Sequence, residues 1–350
     1  MAKTGQNILR NFVIIFCFFY FYCCSPGLKP ISQPLWEFSS QFPIVFLCNL
    51  EKTQIGVKSI NQYLMLDKSN GNIVKSIPLE SYGLGGAILD GSRIYYGTVD
   101  YRFLCVDVNT GEKLWTFNTL SENKATPSLD SQMVYWASLD SSIYAVDKFS
   151  GTLQWKITTG CHINSTPVLS DSILLIGSWD TYLYALHKET GQELWRFSAR
   201  SGIDQKPLLV GQIVWLPSYD SHVYGINLHT GEKEYDFTAD NAFEFSGSRW
   251  KNTLIFSGID RNFYFIDLDS GQFATREESP VAVSTSLMVF ADWLFTGQYD
   301  GCVYSWELPS MKKKLLHRFK DRVIFLLSDG EYLWAASWDR TLVCFRLSSD

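Results

Sequence analysis

Histidine and cysteine make most protein metal sites and many nucleophilic ones, but here they form no familiar pattern. The 350-residue chain has five histidines and eight cysteines, with no His-Glu-x-x-His and no Cys-x-x-Cys sequence. The common kinds of zinc site are therefore not predicted. Cys161 and His162 adjoin in a segment with loop character. An isolated pair of this kind is only a weak site candidate.

Aspartate is the acidic residue with a regular pattern. Its series advances by 40 residues and then by 39 at the last step: Asp100, Asp140, Asp180, Asp220, Asp260, Asp300 and Asp339. Seven carboxylates on one face could suggest a metal site. However, an aspartate that recurs in every unit at a turn between strands is typical of a side chain that caps the turn. We therefore expect a structural role for this series and no metal.

Composition restricts the possible functions further. Hydrophobic residues make up 46% of the chain and aromatic residues 15%, which is enough for a large buried core. The formal net charge is -6. Because nucleic-acid binding requires a basic surface, an acidic chain of this kind is not expected to bind nucleic acid.

A 40-residue period organises the chain from residue 71 onward. Glycines stand at 71, 111, 151, 191, 231 and 271, and tyrosines at 144, 184, 224, 264 and 304. In residues 131–157, alternating apolar residues predict strands that end near Asp140, cover Ser142 to Asp147 and cover Thr152 to Ile157. A shorter strand such as Ser165 to Leu169 precedes each aspartate-ended strand. Four strands per 40 residues are typical of one propeller blade.

The chain ends indicate how many blades there are and how the ring closes. The third strand of the unit occurs eight times, and its last copy stops at Asp350 without a fourth strand. Leu35-Trp36-Glu37-Phe38 has the pattern of the outer strand Leu114-Trp115-Thr116-Phe117. The sequence thus predicts an all-β fold, an eight-bladed β-propeller of four-stranded blades over residues 34–350. An N-terminal strand would complete the C-terminal blade and leave no open edge.

The first 24 residues have the features of an export signal. Lys3 and Arg10 precede an apolar run from Phe12 to Tyr22, which is too short for an ordinary membrane-spanning helix. The end of this run, Phe-Tyr-Cys-Cys at 21–24, resembles a bacterial lipoprotein signal with Cys24 as the lipidated residue. An uncleaved anchor is the alternative. Either predicts an exported, membrane-tethered protein of the cell envelope, with residues 25–33 as a short linker.

The cysteines of the body do not predict a disulfide framework. They stand at 48, 105, 161, 302 and 344, an odd number without regular spacing. Cys105 and Cys344 occupy the same inward position two blades apart. We therefore expect both to be small core residues.

One repeated motif resembles that of a known family. The sequence Ala145-x-Asp147-x-x-Ser150-Gly151-x-x-x-Trp155 recurs in related form at residues 105–115, 185–195 and 225–235. It is similar to the tryptophan-docking motif of bacterial quinoprotein-type (PQQ-like) propellers. The resemblance implies that the outer-strand tryptophan packs on the next blade. Lys75, Thr275 and the Met311 region lack that tryptophan, which predicts weaker blade interfaces there. WD repeats share the period but would show a Gly-His dipeptide, which this chain lacks.

One branch of this family consists of quinone-dependent dehydrogenases. The resemblance to them implies a quinone and calcium in the central funnel, often with a disulfide between adjacent cysteines. Here the only adjacent pair, Cys23-Cys24, lies in the leader, and regular spacing leaves little room for long loops. We therefore expect no cofactor and no enzyme activity. A quinoprotein dehydrogenase and a ligand-sensing propeller remain the alternatives.

The other branch is the propeller lipoprotein of the outer-membrane β-barrel assembly machinery. This resemblance implies a non-catalytic scaffold that binds a protein partner, such as a β-barrel assembly component, as a monomeric propeller in the outer membrane or facing the periplasm. The predicted partner site is an aromatic beside an acid in four blades: Trp179, Asp180, Tyr219, Asp220, Tyr299, Asp300, Trp338 and Asp339. The alternative is that these aromatics close the channel.

Residues 311–322 form the one basic cluster; they could meet acidic lipid or an acidic partner, or could protect a strand edge.

Overall fold

The computed structural model describes residues 28–30, 33–50 and 53–349. Every regular element within these ranges is a β-strand. Nowhere in these ranges is there a helix with the length and apolar character needed to span a membrane. The predicted signal sequence and its Cys24 lie outside the described residues.

The strands are numbered in chain order. Two short strands, β1 (Leu28–Pro30) and β2 (Trp36–Ser39), precede the repeating units. Blade 1 then contains β3 (Ile44–Asn49), β4 (Gln54–Ser59), β5 (Gln62–Asp67) and β6 (Ile73–Pro78). Blade 2 contains β7 (Ala87–Asp90), β8 (Arg93–Gly97), β9 (Arg102–Asp107) and β10 (Lys113–Asn118). Blade 3 contains β11 (Ser128–Leu129), β12 (Met133–Ala137), β13 (Ser142–Asp147) and β14 (Leu153–Thr158). Blade 4 contains β15 (Val168–Ser170), β16 (Ile173–Gly177), β17 (Tyr182–His187) and β18 (Glu193–Ser198).

The second half of the chain repeats the same unit. Blade 5 contains β19 (Leu208–Val210), β20 (Ile213–Pro217), β21 (His222–Asn227) and β22 (Lys233–Thr238). Blade 6 contains β23 (Ser248–Trp250), β24 (Thr253–Ser257), β25 (Asn262–Asp267) and β26 (Phe273–Glu278). Blade 7 contains β27 (Met288–Phe290), β28 (Trp293–Gly297), β29 (Cys302–Glu307) and β30 (Lys312–Arg318). Blade 8 contributes β31 (Val323–Ser328), β32 (Tyr332–Ser337) and β33 (Thr341–Ser349).

Each blade is an antiparallel meander in which consecutive strands pair. In blade 3, for example, Ala145 lies between Tyr135 on one side and Trp155 on the other. The two middle strands are almost wholly buried, whereas the fourth strand alternates between exposed and buried residues. The alternation in the sequence therefore corresponds to real strands, and the predicted eight-bladed propeller is confirmed.

The N-terminal segment closes the ring. Strand β2 pairs with β33, with Trp36 opposite Cys344. Strand β1 pairs with the last residues of the same strand, with Leu28 opposite Ser349. The fourth strand of blade 8 is thus supplied in two segments along one edge of β33. The predicted closure is confirmed, and β1 lies within the residues expected to form a linker.

The connections define two faces of the ring. The upper face carries the loops between blades and the turns between second and third strands. The lower face carries the other two turns of each blade.

Aromatic residues fill the space between blades: Trp136 stacks on Phe103 of the preceding blade, with ring centroids 4.1 Å apart. Both side chains are fully buried.

The outer-strand tryptophans join successive blades as the family motif implies. Each indole N–H donates to a backbone carbonyl in a lower-face turn of the next blade. The four bonds are Trp36 to Lys68 (2.7 Å), Trp115 to Lys148 (3.1 Å), Trp155 to Lys188 (2.8 Å) and Trp195 to Leu228 (2.9 Å). A buried aromatic of this size contributes about 150–250 Å² of buried surface. These contacts hold the ring rigid and fix the positions of the loops on its upper face.

Candidate functional site

The recurring aspartates cap the upper-face turns. One carboxylate oxygen of Asp140, Asp180 and Asp220 accepts a hydrogen bond from the backbone N–H two residues later, at 3.0, 3.1 and 3.1 Å respectively. This bond fixes the residue between them in a positive-φ conformation, as at Thr181 (φ 77°). The predicted capping role is confirmed for these three and for Asp260, Asp300 and Asp339. It is wrong for Asp100, because the hydroxyl of Thr98 accepts the turn N–H there and the Asp100 carboxylate binds the guanidinium of Arg102 instead.

The second carboxylate oxygen connects neighbouring parts of the ring. In Asp180 it accepts the hydroxyl of Tyr184 at 2.7 Å and the backbone N–H of Gly160 at 2.7 Å. Gly160 belongs to the loop that enters the blade from its predecessor. Burial raises the pKa of Tyr184, and the adjacent carboxylate raises it further. Asp180 therefore ties a turn, a strand and an inter-blade loop together.

The last two aspartates of the predicted site differ from each other. Asp339 caps its turn through Thr341 (3.0 Å) and also accepts the backbone N–H of Lys320 (2.9 Å). Burial opposes its ionisation, but these hydrogen bonds prevail and lower the pKa of Asp339. Asp300 caps through Cys302 N–H at 3.1 Å, accepts the thiol of the same residue at 3.3 Å and is exposed. Asp300 is thus the most accessible acid of the four.

The four aromatics of the predicted site all lie on the upper face, each one residue before its aspartate. We call Trp179, Tyr219, Tyr299 and Trp338 the aromatic arc. Trp179, Tyr299 and Trp338 are about two-fifths exposed, at 40%, 39% and 41%, and Tyr219 is half-buried. The arc spans blades 4, 5, 7 and 8, with exposed Ile259 at the matching position of blade 6.

Trp179 is held by three neighbours. Its ring stacks on His162 with centroids 5.1 Å apart and lies 6.0 Å from the ring of Tyr219. Its indole N–H donates to Asp204 at 2.7 Å. An exposed tryptophan with these contacts keeps a fixed orientation, which lowers the entropy cost of binding a partner through it.

Acidic and basic loop residues hold the rest of the arc. The hydroxyl of Tyr299 donates to Glu244 at 2.9 Å, and the guanidinium of Arg322 lies 5.5 Å from the ring of Trp338. Burial, together with the charges of Asp204 and Glu244, raises the pKa of Tyr219 to about 12. Tyr219 therefore stays a neutral hydrogen-bonding group at physiological pH.

The sequence did not predict that loop residues hold the arc, although it marked His162 as a weak site candidate and Arg322 as part of the basic cluster. His162, Asp204, Glu244 and Arg322 all lie in loops that enter a blade from its predecessor. Asp204 and Glu244 are one 40-residue period apart, and His162 and Arg322 are four periods apart. The repeat marks these loop positions, but it does not show which aromatic each of them contacts.

A second exposed group occupies the upper face near blades 2 and 3. It consists of Tyr82, Leu84, Tyr101 and Leu120, and Leu120 is the most exposed at 79%. None of these residues stands directly before an aspartate of the series, so the pattern that marked the arc did not single them out. They provide a comparison surface for the arc on the same face.

Polar chemistry elsewhere is sparse. The described part of the chain contains no group of three or more His, Cys, Asp or Glu side chains placed to hold a metal ion. The Cys161 Sγ lies 3.4 Å from His162 Nδ1. Cys48, Cys105, Cys161, Cys302 and Cys344 are free thiols, and Cys105 and Cys344 are core residues as predicted.

Comparisons with known proteins place this architecture in a family. The family model described as "Outer membrane protein assembly factor BamB" matches residues 61–168 and 139–349, well over half of the chain. The chain belongs to the BamB family. A comparison with curated protein sequences gave no match.

Solved structures agree on the fold. BamB from Moraxella catarrhalis is 18% identical with a TM-score of 0.79, over 92% of this chain and 100% of that chain. The computationally designed Ika8 protein is 17% identical with a TM-score of 0.80, over 90% and 100%. Sqt1 from Saccharomyces cerevisiae is 14% identical with a TM-score of 0.77, over 91% and 100%. At such identities these likenesses show that the BamB-family chain shares the propeller fold.

Proposed function

We propose that this chain is a non-catalytic, membrane-tethered interaction scaffold that takes part in outer-membrane protein assembly. In this proposal the protein is exported to the cell envelope, carries lipid on Cys24 and works as a monomeric propeller without a cofactor. Membership of the BamB family supports the assembly role. Short inter-blade loops support a role in binding, because they leave little to enclose a reaction centre.

The observation that carries the proposal is the aromatic arc. Large aromatics that are partly exposed and already fixed by neighbours are typical of the anchoring residues of protein interfaces. Trp179 and Tyr299 are each fixed by a carboxylate, from Asp204 and Glu244. The arc therefore offers apolar surface and acceptor groups together, which suits an extended segment or loop of a partner protein.

The aspartates next to the arc take two roles in this proposal. Asp180, Asp220 and Asp339 hold the turns that present the aromatics, since both oxygens of each already accept internal hydrogen bonds. Asp300 is exposed and supplies negative charge to the partner directly. The partner surface is accordingly expected to carry apolar and basic side chains.

The test is affinity purification of the tagged full-length protein from gently solubilised membranes, followed by mass spectrometry. We expect a β-barrel assembly component to co-purify with the wild type and to be lost with Trp179→Ala plus Trp338→Ala. The matched control is Tyr101→Ala plus Leu120→Ala, which removes comparable exposed surface from the same face. Circular dichroism and thermal unfolding of each variant exclude misfolding.

The outcomes separate the role from the site. If both double variants retain the assembly component, the scaffold role stands and the arc is not the binding surface. If the control variant alone loses it, the surface near blades 2 and 3 is the site. If no assembly component co-purifies with the wild type, the proposed role is wrong.

A further inference from the structure

The N-terminal end of the ring has a defined location. Strand β33 runs from the upper face at Thr341 towards the lower face at Ser349. Strand β1 is antiparallel to its last residues, and Leu28 lies opposite Ser349. Because β1 forms the outer edge of this sheet, the chain reaches the ring at the lower, outer edge of blade 8.

The proposed tether makes this location informative. Leu28 stands four positions after Cys24, and an extended chain of that length spans about 14 Å. If Tyr22 instead ends an uncleaved anchor, six residues span about 20 Å. The lower edge of blade 8 must therefore lie close to the membrane surface, and the aromatic arc on the upper face points away from it. This step rests on the membrane tether of the proposed function.

The basic cluster of the sequence lies beside this edge. Lys312, Lys313 and Lys314 begin β30, the outer strand of blade 7, directly after a lower-face turn. All three side chains are exposed, as is Leu315. Glu307 lies opposite Lys312 in the strand register, yet no carboxylate in the described residues forms an ion pair with any of the three lysines.

Two acids on the lower face of blade 8, among the described residues, are already paired. On the lower face of blade 8, Asp329 pairs with Lys68 at 2.7 Å and Glu331 with Arg346 at 3.4 Å. These pairs reduce the negative field beside the three lysines, of which Lys313 lies 5.7 Å from the ring of Trp306 and none has a carboxylate partner among the described residues. An acidic chain of net charge -6 thus carries an unpaired basic cluster one blade from its point of attachment.

We propose that Lys312, Lys313, Lys314 and Leu315, named here the basic edge, rest on an anionic lipid surface and orient the ring on the membrane. Lysines near an anionic leaflet are attracted over a distance of about one Debye length, within reach of a tether this short. Leu315 would then meet the interfacial region of the bilayer. Docking at this edge holds the aromatic arc on the far side of the ring, where a partner can reach it.

Photo-crosslinking to lipid tests this arrangement. The full-length protein is reconstituted in vesicles of phosphatidylcholine alone or of phosphatidylcholine with 30% phosphatidylglycerol. The anionic lipid gives the vesicle a negative surface that attracts basic clusters. p-Benzoylphenylalanine replaces either Leu315 or Leu194, which have matched exposures of 44% and 45%. Leu194 lies on the outer strand of blade 4, across the ring. Mass spectrometry measures the fraction of lipid-adducted protein.

We expect several-fold more lipid adduct at position 315 than at 194 in the anionic vesicles. The combined variant Lys312→Glu, Lys313→Glu and Lys314→Glu should abolish the difference, as should high salt. The charge-matched control is Lys156→Glu, Arg196→Glu and Lys206→Glu on the opposite side of the ring. It should leave the adduct at 315 unchanged.

Three results would overturn the proposal. Equal adducts at 315 and 194 mean that the basic edge does not face lipid. If the amount of adduct at 315 depends neither on the lipid charge nor on the three Lys→Glu substitutions, the lysines only protect a strand edge. Failure of the protein to float with the vesicles means that the tether itself is wrong. The co-purification experiment judges the scaffold role separately, because a lost partner would not alter the lipid adducts.

Discussion

The indole N–H of Trp155 donates a 2.8 Å hydrogen bond to the backbone carbonyl of Lys188, 33 residues later on the next blade. The ring lies against Gly191, which has a φ of 72° and where a Cβ would come within 2.8 Å of the indole. The tryptophan and the glycine of the repeated motif thus belong to one contact, made between different copies of the motif. The motif is therefore a device for joining blades.

The first prediction concerns this contact. Trp155→Ala should lower the free energy of unfolding by about 3–5 kcal/mol, because it removes a large buried aromatic. Trp155→Phe keeps most of the apolar surface but loses the hydrogen bond. Its free energy of unfolding should therefore fall by about 1 kcal/mol beyond the loss caused by the smaller ring. Urea unfolding measures both, with the exposed Gln154→Ala as control. Equal stability of Trp155→Ala and the control would contradict the docking role.

The second prediction compares two aspartates of the same series. Asp180→Ala removes the acceptor of Tyr184, Gly160 and the capped turn, so unfolding free energy should fall by about 2–3 kcal/mol. Asp300→Ala should cost less than half of that, because Asp300 is exposed and bonds to Cys302 and, at 3.6 Å, to the exposed guanidinium of Arg318. The measurement is equilibrium unfolding of both variants. A larger loss of unfolding free energy for Asp300→Ala would mean that the hydrogen bond from the loop residue Gly160 to Asp180 contributes little.

The sequence contained enough information for the ring but less for its surface. Every blade repeats the same strands, so Leu35-Trp36-Glu37-Phe38 could be recognised as a displaced fourth strand, and β2 indeed places Trp36 opposite Cys344. The three residues of β1 carry no pattern that distinguishes a strand from a linker. Their pairing depends on the length of β33, which only the folded sheet determines.

The aromatic arc could be predicted in part for a similar reason. The position of Trp179 beside Asp180 follows from the repeat, since both stand at one turn. Its contact with Asp204 joins loops of two blades and depends on where each side chain points. Such contacts have no fixed sequence separation, so the period of the strands does not reveal them.

The third prediction uses a buried lysine. Lys58 on β4 is fully buried, and its Nζ donates to the backbone carbonyls of Gly83 and Gly85. Burial lowers the pKa of Lys58 to about 7. Between that value and the ordinary pKa of about 10.4 the unfolded chain binds a proton that the folded chain does not, so stability rises with pH through this window.

The variant Lys58→Met tests this assignment. It leaves both carbonyls without a partner, which should cost about 1–3 kcal/mol at neutral pH. The variant also has no titratable group at position 58. The stability of the wild type relative to the variant should therefore grow from pH 7 to pH 9, by at most about 1.4 kcal/mol per pH unit. Urea unfolding at several pH values gives both numbers. Parallel pH profiles of the two proteins would show that Lys58 does not titrate there.

The fourth prediction concerns a blade interface without a docked aromatic. Lys75 stands on β6 where other outer strands have tryptophan, and its Nζ donates to the exposed carbonyl of Asn109 at 2.8 Å. The turn it faces is open: a Cβ on Gly111 would meet only Ile77, at 3.9 Å, whereas Gly151 is covered by Trp115 at 2.7 Å. The space that an indole occupies beside Gly151 is therefore open beside Gly111.

Lys75→Trp should fill this space and stabilise the ring. Three of the four docked indoles reach a carbonyl 33 residues later, which here is that of Val108, the counterpart of Lys148 and Lys188. We expect a gain of about 1–2 kcal/mol in the free energy of unfolding, the size usual for filling a preformed gap. The control is Lys156→Trp, on an exposed outer-strand position where no pocket receives the ring. If Lys75→Trp is no more stable than that control, a tryptophan on an outer strand is not sufficient for docking, and the rest of the turn must also match.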